Sequence, residues 1–324
     1  MIASIKEIVP GMQDATGRPD PALKVAALYT ALALGFGVAF WLTVDLSRRG
    51  ILPFSMQHEG FTRASIPGTI LWAVLSGFGP AIAGCIALAA FQGSGAVANL
   101  GRRLLRWRIP GRLWGLAWFA ILPNLAAVIA GYASHPRQRF DPSAFAPVKS
   151  LALFFVMAAL DGPLGEEIGW RGVLLPALLR RMSALPAAAI VGVIWYAWHV
   201  PIYLSEGRLG DGVEQAFFLY TCVALSLIFT WFFLRSQGST LLMVYLHDAT
   251  NYSTFVRHQV FPRVGAPVAP IVAYGAVLLL LAALAAFALR RGGDRRAGRR
   301  DDQRASAGGQ PLSGTRGAAR AGRP

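Results

Sequence analysis

Cysteine and charged residues are scarce in this sequence. Only 2 of its 324 residues are cysteine, and charged residues make up 15%. Cys85 and Cys222 both lie in apolar stretches, so no disulfide framework is indicated. With 55% hydrophobic residues and a mean hydropathy of +0.48, the chain is too apolar for a soluble domain of this length. We therefore expect a multi-pass protein of the cell membrane.

Two catalytic signatures are also absent. The chain contains no H-E-x-x-H, which excludes the familiar helical zinc motif, and no G-x-S-x-G, which excludes a serine on a nucleophile elbow. The net charge of +15 does not indicate nucleic acid, because the basic residues gather in short connections and in the last 35 residues. The lipid bilayer is therefore an expected partner, and nucleic acid is not.

Long apolar runs predict an all-α polytopic membrane protein with about eight transmembrane helices. The predicted spans are residues 23–44, 67–91, 113–132, a fourth from about 148 into a glutamate pair, 185–203, 213–234, 239–255 and 268–289. We divide the chain into a cytoplasmic segment (1–22), accessory helices (23–145), a catalytic core with the fourth to seventh helices (146–290) and a disordered basic tail (291–324). Arginines after the second, fourth and eighth spans place both termini in the cytoplasm.

The connection between the second and third spans mixes arginine with large apolar residues. Residues 100–114 hold five arginines together with leucine and tryptophan, a composition typical of an interfacial helix attracted to anionic lipid. A positively charged cytoplasmic loop is the alternative, because Pro110 and Gly111 break any long helix there.

Charges interrupt the apolar pattern most sharply at Glu166, Glu167 and Arg171. The runs 151–160 and 173–179 on either side carry no charge. Ionisable groups at membrane depth are costly and by default indicate function. Glu167 and Arg171 are four residues apart and therefore pair on one helix face, while Glu166 points about 100° away. The alternative is a purely structural ion pair between Glu167 and Arg171.

Two of the five histidines, His199 and His247, fall inside apolar spans. If the fourth and fifth spans form a hairpin that turns near residues 183–186, the glutamates and His199 are both roughly 20 to 27 Å from the turn and lie level. His247 and Asn251 are four residues apart and share a helix face. A structural histidine is the common alternative, but an unpaired imidazole inside a bilayer costs several kcal/mol.

These side chains predict hydrolysis of a peptide bond, so the expected partner besides the bilayer is a peptide or membrane-protein substrate. A water bound between a glutamate and a histidine, directly or through a divalent metal, becomes a nucleophile as its proton is taken up or its pKa falls. A neighbouring histidine and asparagine can donate hydrogen bonds to the oxyanion. Any metal would take ligands from several spans.

The same residues resemble the CAAX protease and bacteriocin-processing (CPBP) group of intramembrane proteases. Its patterns E-E-x-x-x-R, F-x-x-x-H and H-x-x-x-N are similar to Glu166 to Arg171, to His199 preceded by Trp195, and to His247 with Asn251. The one departure is Trp195 for phenylalanine, which concerns packing rather than chemistry.

The resemblance implies a role for each of these residues. Glu166 and His199 hold the attacking water or metal, Glu167 assists, and His247 with Asn251 stabilises the oxyanion. Arg171 and Trp195 support them. A metal, zinc first, would be held by Glu166, His199 and His247. Two other classes stay open: a transporter or proton relay that uses the same groups, and a non-catalytic immunity or scaffold protein with the same fold.

Overall fold

The computed structural model of the protein is helical throughout the residues it describes. These are residues 21–56, 66–135, 159–160, 162–205, 207, 209, 211–260 and 268–308. Every regular element in these ranges is an α-, 3-10 or π-helix, which confirms the all-α prediction.

Twelve α-helices are numbered here in chain order over the described ranges. They are α1 (Ala22–Arg48), α2 (Ile66–Trp72), α3 (Gly79–Gln92), α4 (Ser94–Leu104), α5 (Gly111–Ala117), α6 (Leu122–Ser134), α7 (Pro163–Gly169), α8 (Leu175–Leu179), α9 (Ala184–Ser205), α10 (Gly212–Arg235), α11 (Thr240–Val260) and α12 (Val268–Gly308). A π-helix (Ala73–Gly77) follows α2, a 3-10 helix (Trp118–Ile121) joins α5 to α6, and a second π-helix (Trp170–Leu174) joins α7 to α8.

Five of the described helical stretches are long and apolar enough to cross a membrane. They are Ala22–Arg48, Gly111–Ser134, Ala184–Ser205, Gly212–Arg235 and Val268–Arg291. A sixth is the pair Ile66–Gly77 and Gly79–Gln92 if it forms one span with a bend of 57°. Large apolar side chains such as Leu279 and Leu284 are exposed along α12, as expected of a face against lipid.

The predicted count of eight spans is therefore not confirmed. Most of the fourth predicted span lies outside the described residues. The seventh forms α11, but α11 is not among the helices apolar enough to cross. It carries His247, Asp248 and Arg257, whose polarity lowers its mean hydropathy.

Glycines bring the glutamate helix α7 into backbone contact with its neighbours. A Cβ on Gly165 would lie 2.0 Å from the carbonyl oxygen of Gly77, and one on Gly169 would lie 2.7 Å from that of Pro80. Only glycine permits so close an approach, since other residues would force the backbones apart. The contact holds α7 against the bent region between α2 and α3.

The predicted hairpin after the glutamates is present. Helix α8 ends at Leu179 and α9 begins at Ala184. Helix α9 then packs closely on α10, where a Cβ on Gly192 would lie 2.6 Å from the Cα of Val223. The large buried side chains between these helices include Trp170, Phe229 and Phe233. The hairpin thereby carries the glutamates and His199 into one apolar core.

The chain ends were predicted as cytoplasmic segments. Residues 1–20 and 309–324 lie outside the described residues, so their placement and the disorder of that part of the tail stay predictions. Residues 291–308 continue α12 as helix, past the expected boundary at residue 290. Arginine, the commonest residue there, is a strong helix former.

Candidate active site

Glu166 is oriented by two indole groups. Its side chain is buried at 6% exposure, and its Oε2 accepts hydrogen bonds from Nε1 of Trp195 at 2.6 Å and Nε1 of Trp170 at 3.3 Å. Oε1 accepts no hydrogen bond from the described residues and lies 3.2 Å from the position of a Cβ on Gly162, where φ is +132°. One carboxylate oxygen is thus held while the other is available.

Trp195 makes a polar contact in addition to the packing that the sequence analysis expected at this position. Its indole N–H is the closer of the two donors to Glu166. Phenylalanine, the residue usual at this position of the CPBP pattern, has no N–H to donate. The departure at Trp195 therefore adds a polar contact to the site, and periodicity alone gave no sign of it.

Glu167 is fully buried and makes the pairing that its spacing predicts. Its Oε1 accepts from Arg171 Nη1 at 2.6 Å and lies 2.9 Å from Nδ1 of His247. Arg171 is also fully buried. A carboxylate oxygen accepts hydrogen bonds, so Oε1 of Glu167 takes one from Arg171 and one from the Nδ1–H of His247.

Arg171 lies between two aromatic faces. Its guanidinium carbon is 4.8 Å from the ring centre of Trp195 and 4.6 Å from that of Phe229, both within the range of cation–π attraction. Its Nε and Nη2 have no hydrogen-bond partner among the described residues. Trp195 therefore contacts both halves of the site, Glu166 through its N–H and Arg171 through its ring.

His199 lies on α9, one turn after Trp195, and is partly buried. Its Nδ1 is 2.9 Å from the carbonyl oxygen of Trp195. A carbonyl oxygen only accepts, so Nδ1 carries the hydrogen and Nε2 holds the lone pair of the neutral ring. The ring packs edge-on against Trp198 and Phe218, with centroids 4.8 and 5.1 Å apart.

His247 and Asn251 differ in burial although they share a face of α11. His247 is 3% exposed and packs edge-on against Trp195 at 5.1 Å. Asn251 is exposed. The structure brings Glu166, Glu167, Arg171, Trp195 and His247 into one buried cluster, with His199 beside it and Asn251 one helical turn beyond.

Further buried polar groups near this cluster were not assigned by sequence reasoning. Asp248 is fully buried and neither carboxylate oxygen has a hydrogen-bond partner among the described residues. The hydroxyl of Tyr29, from α1, is likewise buried without a partner and would lie 2.5 Å from a Cβ on Gly169. Asp248 follows His247 directly, so its place in an apolar span was a signal that the sequence offered. Nothing in the sequence links Tyr29 to the glutamates.

The predicted metal ligands do not form a metal site in this geometry. Within the part of the chain that the structure describes, no three His, Cys, Asp or Glu side chains are close enough to hold one ion. Glu166, His199 and His247 therefore do not fit a bound ion as they are arranged here, and zinc stays a prediction.

Fold and site together define a class: a multi-pass all-α membrane protein with a buried centre of two glutamates, an arginine and a histidine. Residues 148–253 match the family model described as type II CAAX prenyl endopeptidase Rce1-like. This match confirms the resemblance to the CPBP group over about a third of the chain, and it contains all seven predicted site residues.

A curated relative agrees with this assignment. The chain is 28% identical over 92 residues to "CAAX prenyl protease 2" of Methanococcus maripaludis. The alignment covers 26% of this chain and 34% of the relative. The chain therefore spans about a third of the length of that relative.

Proposed function

We propose that this protein is an intramembrane endopeptidase that hydrolyses a peptide bond of a membrane-associated peptide or membrane protein. The observation that supports this most is that the two buried carboxylates have different hydrogen-bond partners. Glu166 is oriented by neutral indole donors and keeps one oxygen available, while Glu167 is held by Arg171 and His247. Glu166 is thus suited to proton transfer, and Glu167 is suited to holding Arg171 and His247 in position.

Glu166 acts as the general base in this proposal. A water that donates to Glu166 Oε1 and to His199 Nε2 gives one proton to the carboxylate as its oxygen bonds to the scissile carbonyl carbon. The carbonyl π electrons move to its oxygen. When the C–N bond breaks, Glu166 returns the proton to the leaving amine, and the products are a carboxyl group and a free amine.

The oxyanion is stabilised from the facing helix α11. His247 donates its Nδ1–H to Glu167, and when Nε2 is also protonated the ring donates to the oxyanion through Nε2. Asn251, one turn further on the same face, supplies the second donor. Glu167 and Arg171 keep the imidazole in its orientation. No step uses a metal ion; bound zinc would lower the pKa of the attacking water.

The substrate class follows from the relative only as a proposal. That relative is named a CAAX prenyl protease, so peptides ending in a prenylated cysteine motif are one candidate. Unmodified membrane-associated peptides are the other, because the Gly-, Ala- and Arg-rich composition is typical of a high-GC bacterial protein.

The test uses the purified full-length protein in detergent with matched libraries of prenylated and unmodified peptides. We expect wild-type cleavage, loss of cleavage in Glu166→Gln and His247→Ala, and full activity in the control Glu214→Gln, an acid in the first turn of α10 that is not part of the buried cluster. Cleavage that persists in Glu166→Gln would refute the assignment. Transport of a peptide or protons without cleavage would favour the transporter alternative, and binding without cleavage the scaffold alternative.

A further inference from the structure

A concave region lies where the α4–α5 connection meets the α10–α11 loop. Its volume is about 590 Å³, and it is lined by Trp107, Arg108, Ile109, Pro110, Trp114, Ser236 and Gln237. Arg106 Nη1 donates to the carbonyl oxygen of Gln237 at 3.1 Å, and Ser239 Oγ donates to the carbonyl oxygen of Arg106 at 2.7 Å. These two hydrogen bonds join the two loops and fix one side of the concave region.

The chain around this region is basic and contains no acid. Residues 94–135 hold five arginines and neither aspartate nor glutamate, and the adjoining residues 235–239 add Arg235. Arg102, Arg108 and Arg112 are exposed, and exposed like charges attract anions more strongly than each does alone. The lining therefore offers positive charge and hydrogen-bond donors to a phosphate.

Apolar side chains project beside this charge. Leu105 is 75% exposed and Trp107 is 61% exposed. Arg108 lies over the Trp107 ring at 5.1 Å. Exposed tryptophan and leucine next to arginine, at a break between two membrane-associated helices, are typical of the boundary between headgroups and acyl chains.

We propose that this concave region binds the headgroup of an anionic phospholipid. Its phosphate accepts hydrogen bonds from Arg108, and the start of its acyl chains lies along Leu105 and Trp107. Residues 100–114 are a helix end, a loop and a helix start rather than the single interfacial helix that was expected, and the proposed site keeps only the expected attraction to anionic lipid.

Native mass spectrometry of the full chain tests the site with phosphatidylglycerol and phosphatidylcholine. We expect phosphatidylglycerol to bind more tightly and Arg108→Gln to weaken it roughly fivefold. The control Arg180→Gln, on the same predicted side of the membrane, should bind as the wild type does. Equal binding of both lipids, or equal loss in both variants, would overturn the proposal. Release of the lipid by millimolar inorganic phosphate would also overturn it, since the site would then recognise phosphate alone.

The π-helix that follows the glutamates accepts a hydrogen bond from helix α4. Arg103, on α4 and 4% exposed, donates through Nη2 to the carbonyl oxygen of Gly172. Burial lowers the pKa of Arg103 to about 10, with nearby Arg106 acting in the same direction, so the group stays charged at neutral pH. The Arg103 Nε and Nη1 have no partner among the described residues.

The Gly172 carbonyl needs this donor because of Pro176. In an α-helix the carbonyl of residue 172 would accept from the N–H of residue 176, and proline has none. The N–H of Leu175 is already given to the carbonyl of Trp170 in the π-helical pattern. Helix α4 approaches closely enough to supply the missing bond, since a Cβ on Gly172 would lie 2.6 Å from Leu100 Cδ1.

From this geometry we infer that Arg103 is a positioning residue for the π-helix. It fixes the turn from which Arg171 reaches Glu167, so its loss loosens the turn and displaces Arg171. The effect on turnover rests on the proposed function, whereas the effect on the backbone does not.

Hydrogen exchange and turnover test this inference in Arg103→Met, with Arg102→Met, an exposed neighbour on α4, as the control. We expect faster amide exchange over residues 170–178 and lower kcat in Arg103→Met only. Adding Pro176→Ala, which restores the N–H, should reverse both changes. Equal exchange in Arg103→Met and Arg102→Met, or no recovery with Pro176→Ala, would overturn the inference. If Arg103→Met does not fold, recovery of folding in the double variant supports it and continued failure overturns it.

Discussion

The indole Nε1 of Trp195 lies 2.6 Å from Oε2 of Glu166, across the hairpin formed by α7–α8 and α9. The bond joins residues 29 positions apart in sequence. It places a neutral N–H donor against Oε2 of the buried carboxylate. Oε1 is then left to contact a molecule bound in the site. Glu166 therefore takes the closer of its two indole donors from the neighbouring helix and the other from Trp170 in its own segment.

Trp195→Phe should lower kcat roughly 10- to 100-fold with little loss of folding. A hydrogen bond to a charged group contributes about 1.5 to 3 kcal/mol, and phenylalanine keeps the ring contacts while removing the donor. Steady-state kinetics and a thermal melt in detergent measure the two effects. Trp231→Phe is the matched control, because Trp231 Nε1 has no hydrogen-bond partner to lose among the described residues. Similar kinetics in both variants would contradict this role.

Arg171→Ala should destabilise the fold by about 3 to 5 kcal/mol, because it leaves the fully buried Glu167 without its cation. Arg180→Ala, at the end of α8, should change stability by less than about 1 kcal/mol. Thermal unfolding of the purified variants measures the difference. Equal melting temperatures would show that the Glu167–Arg171 pair adds nothing to stability.

Gly165→Ala should destabilise the protein by about 3 kcal/mol or more, since its Cβ would lie 2.0 Å from the Gly77 carbonyl oxygen. Gly115→Ala offers a control inside another predicted span, where nothing lies within 4 Å of the added Cβ. That change should be neutral or stabilising by up to about 1 kcal/mol. A stable, active Gly165→Ala protein would mean that α7 is free to move away from Gly77.

The zinc prediction is tested by elemental analysis of the purified protein and by chelator treatment. If Glu166, His199 and His247 bind a metal, the wild type should hold about one ion per chain and lose activity with a chelator. His199→Ala should then hold less than the wild type. A protein free of divalent ions that stays active with a chelator would instead support the water-only mechanism.

Helix geometry explains what the sequence predicted well. The rise per residue is constant, so equal distances from the hairpin turn predicted that the glutamates lie level with His199. The contact that Glu166 makes is with Trp195, one turn before His199 on the same helix. The i,i+4 rule likewise identified Arg171 as the partner of Glu167. Both predictions depend only on backbone periodicity within one hairpin.

Contacts between helices that are distant in sequence could not be predicted from periodicity. The bond between His247 and Glu167 spans 80 positions, and no spacing rule connects α11 to α7. Tyr29 faces Gly169 only because two backbones meet closely there. The exposure of Asn251 also depends on how α11 is rotated against its neighbours, which its own sequence does not determine.

The contact between Gly165 and Gly77 also fixes a height. Two helices in backbone contact cannot slide along each other without lifting apart, so α7 is locked lengthwise against the bend after Gly77. The carboxylate of Glu166 is then held at one height relative to Gly77. Under the proposed function, Glu166 then stays at one depth in the bilayer. The distance of a peptide bond from the membrane surface therefore selects which bond is cut, whatever the side chains beside that bond.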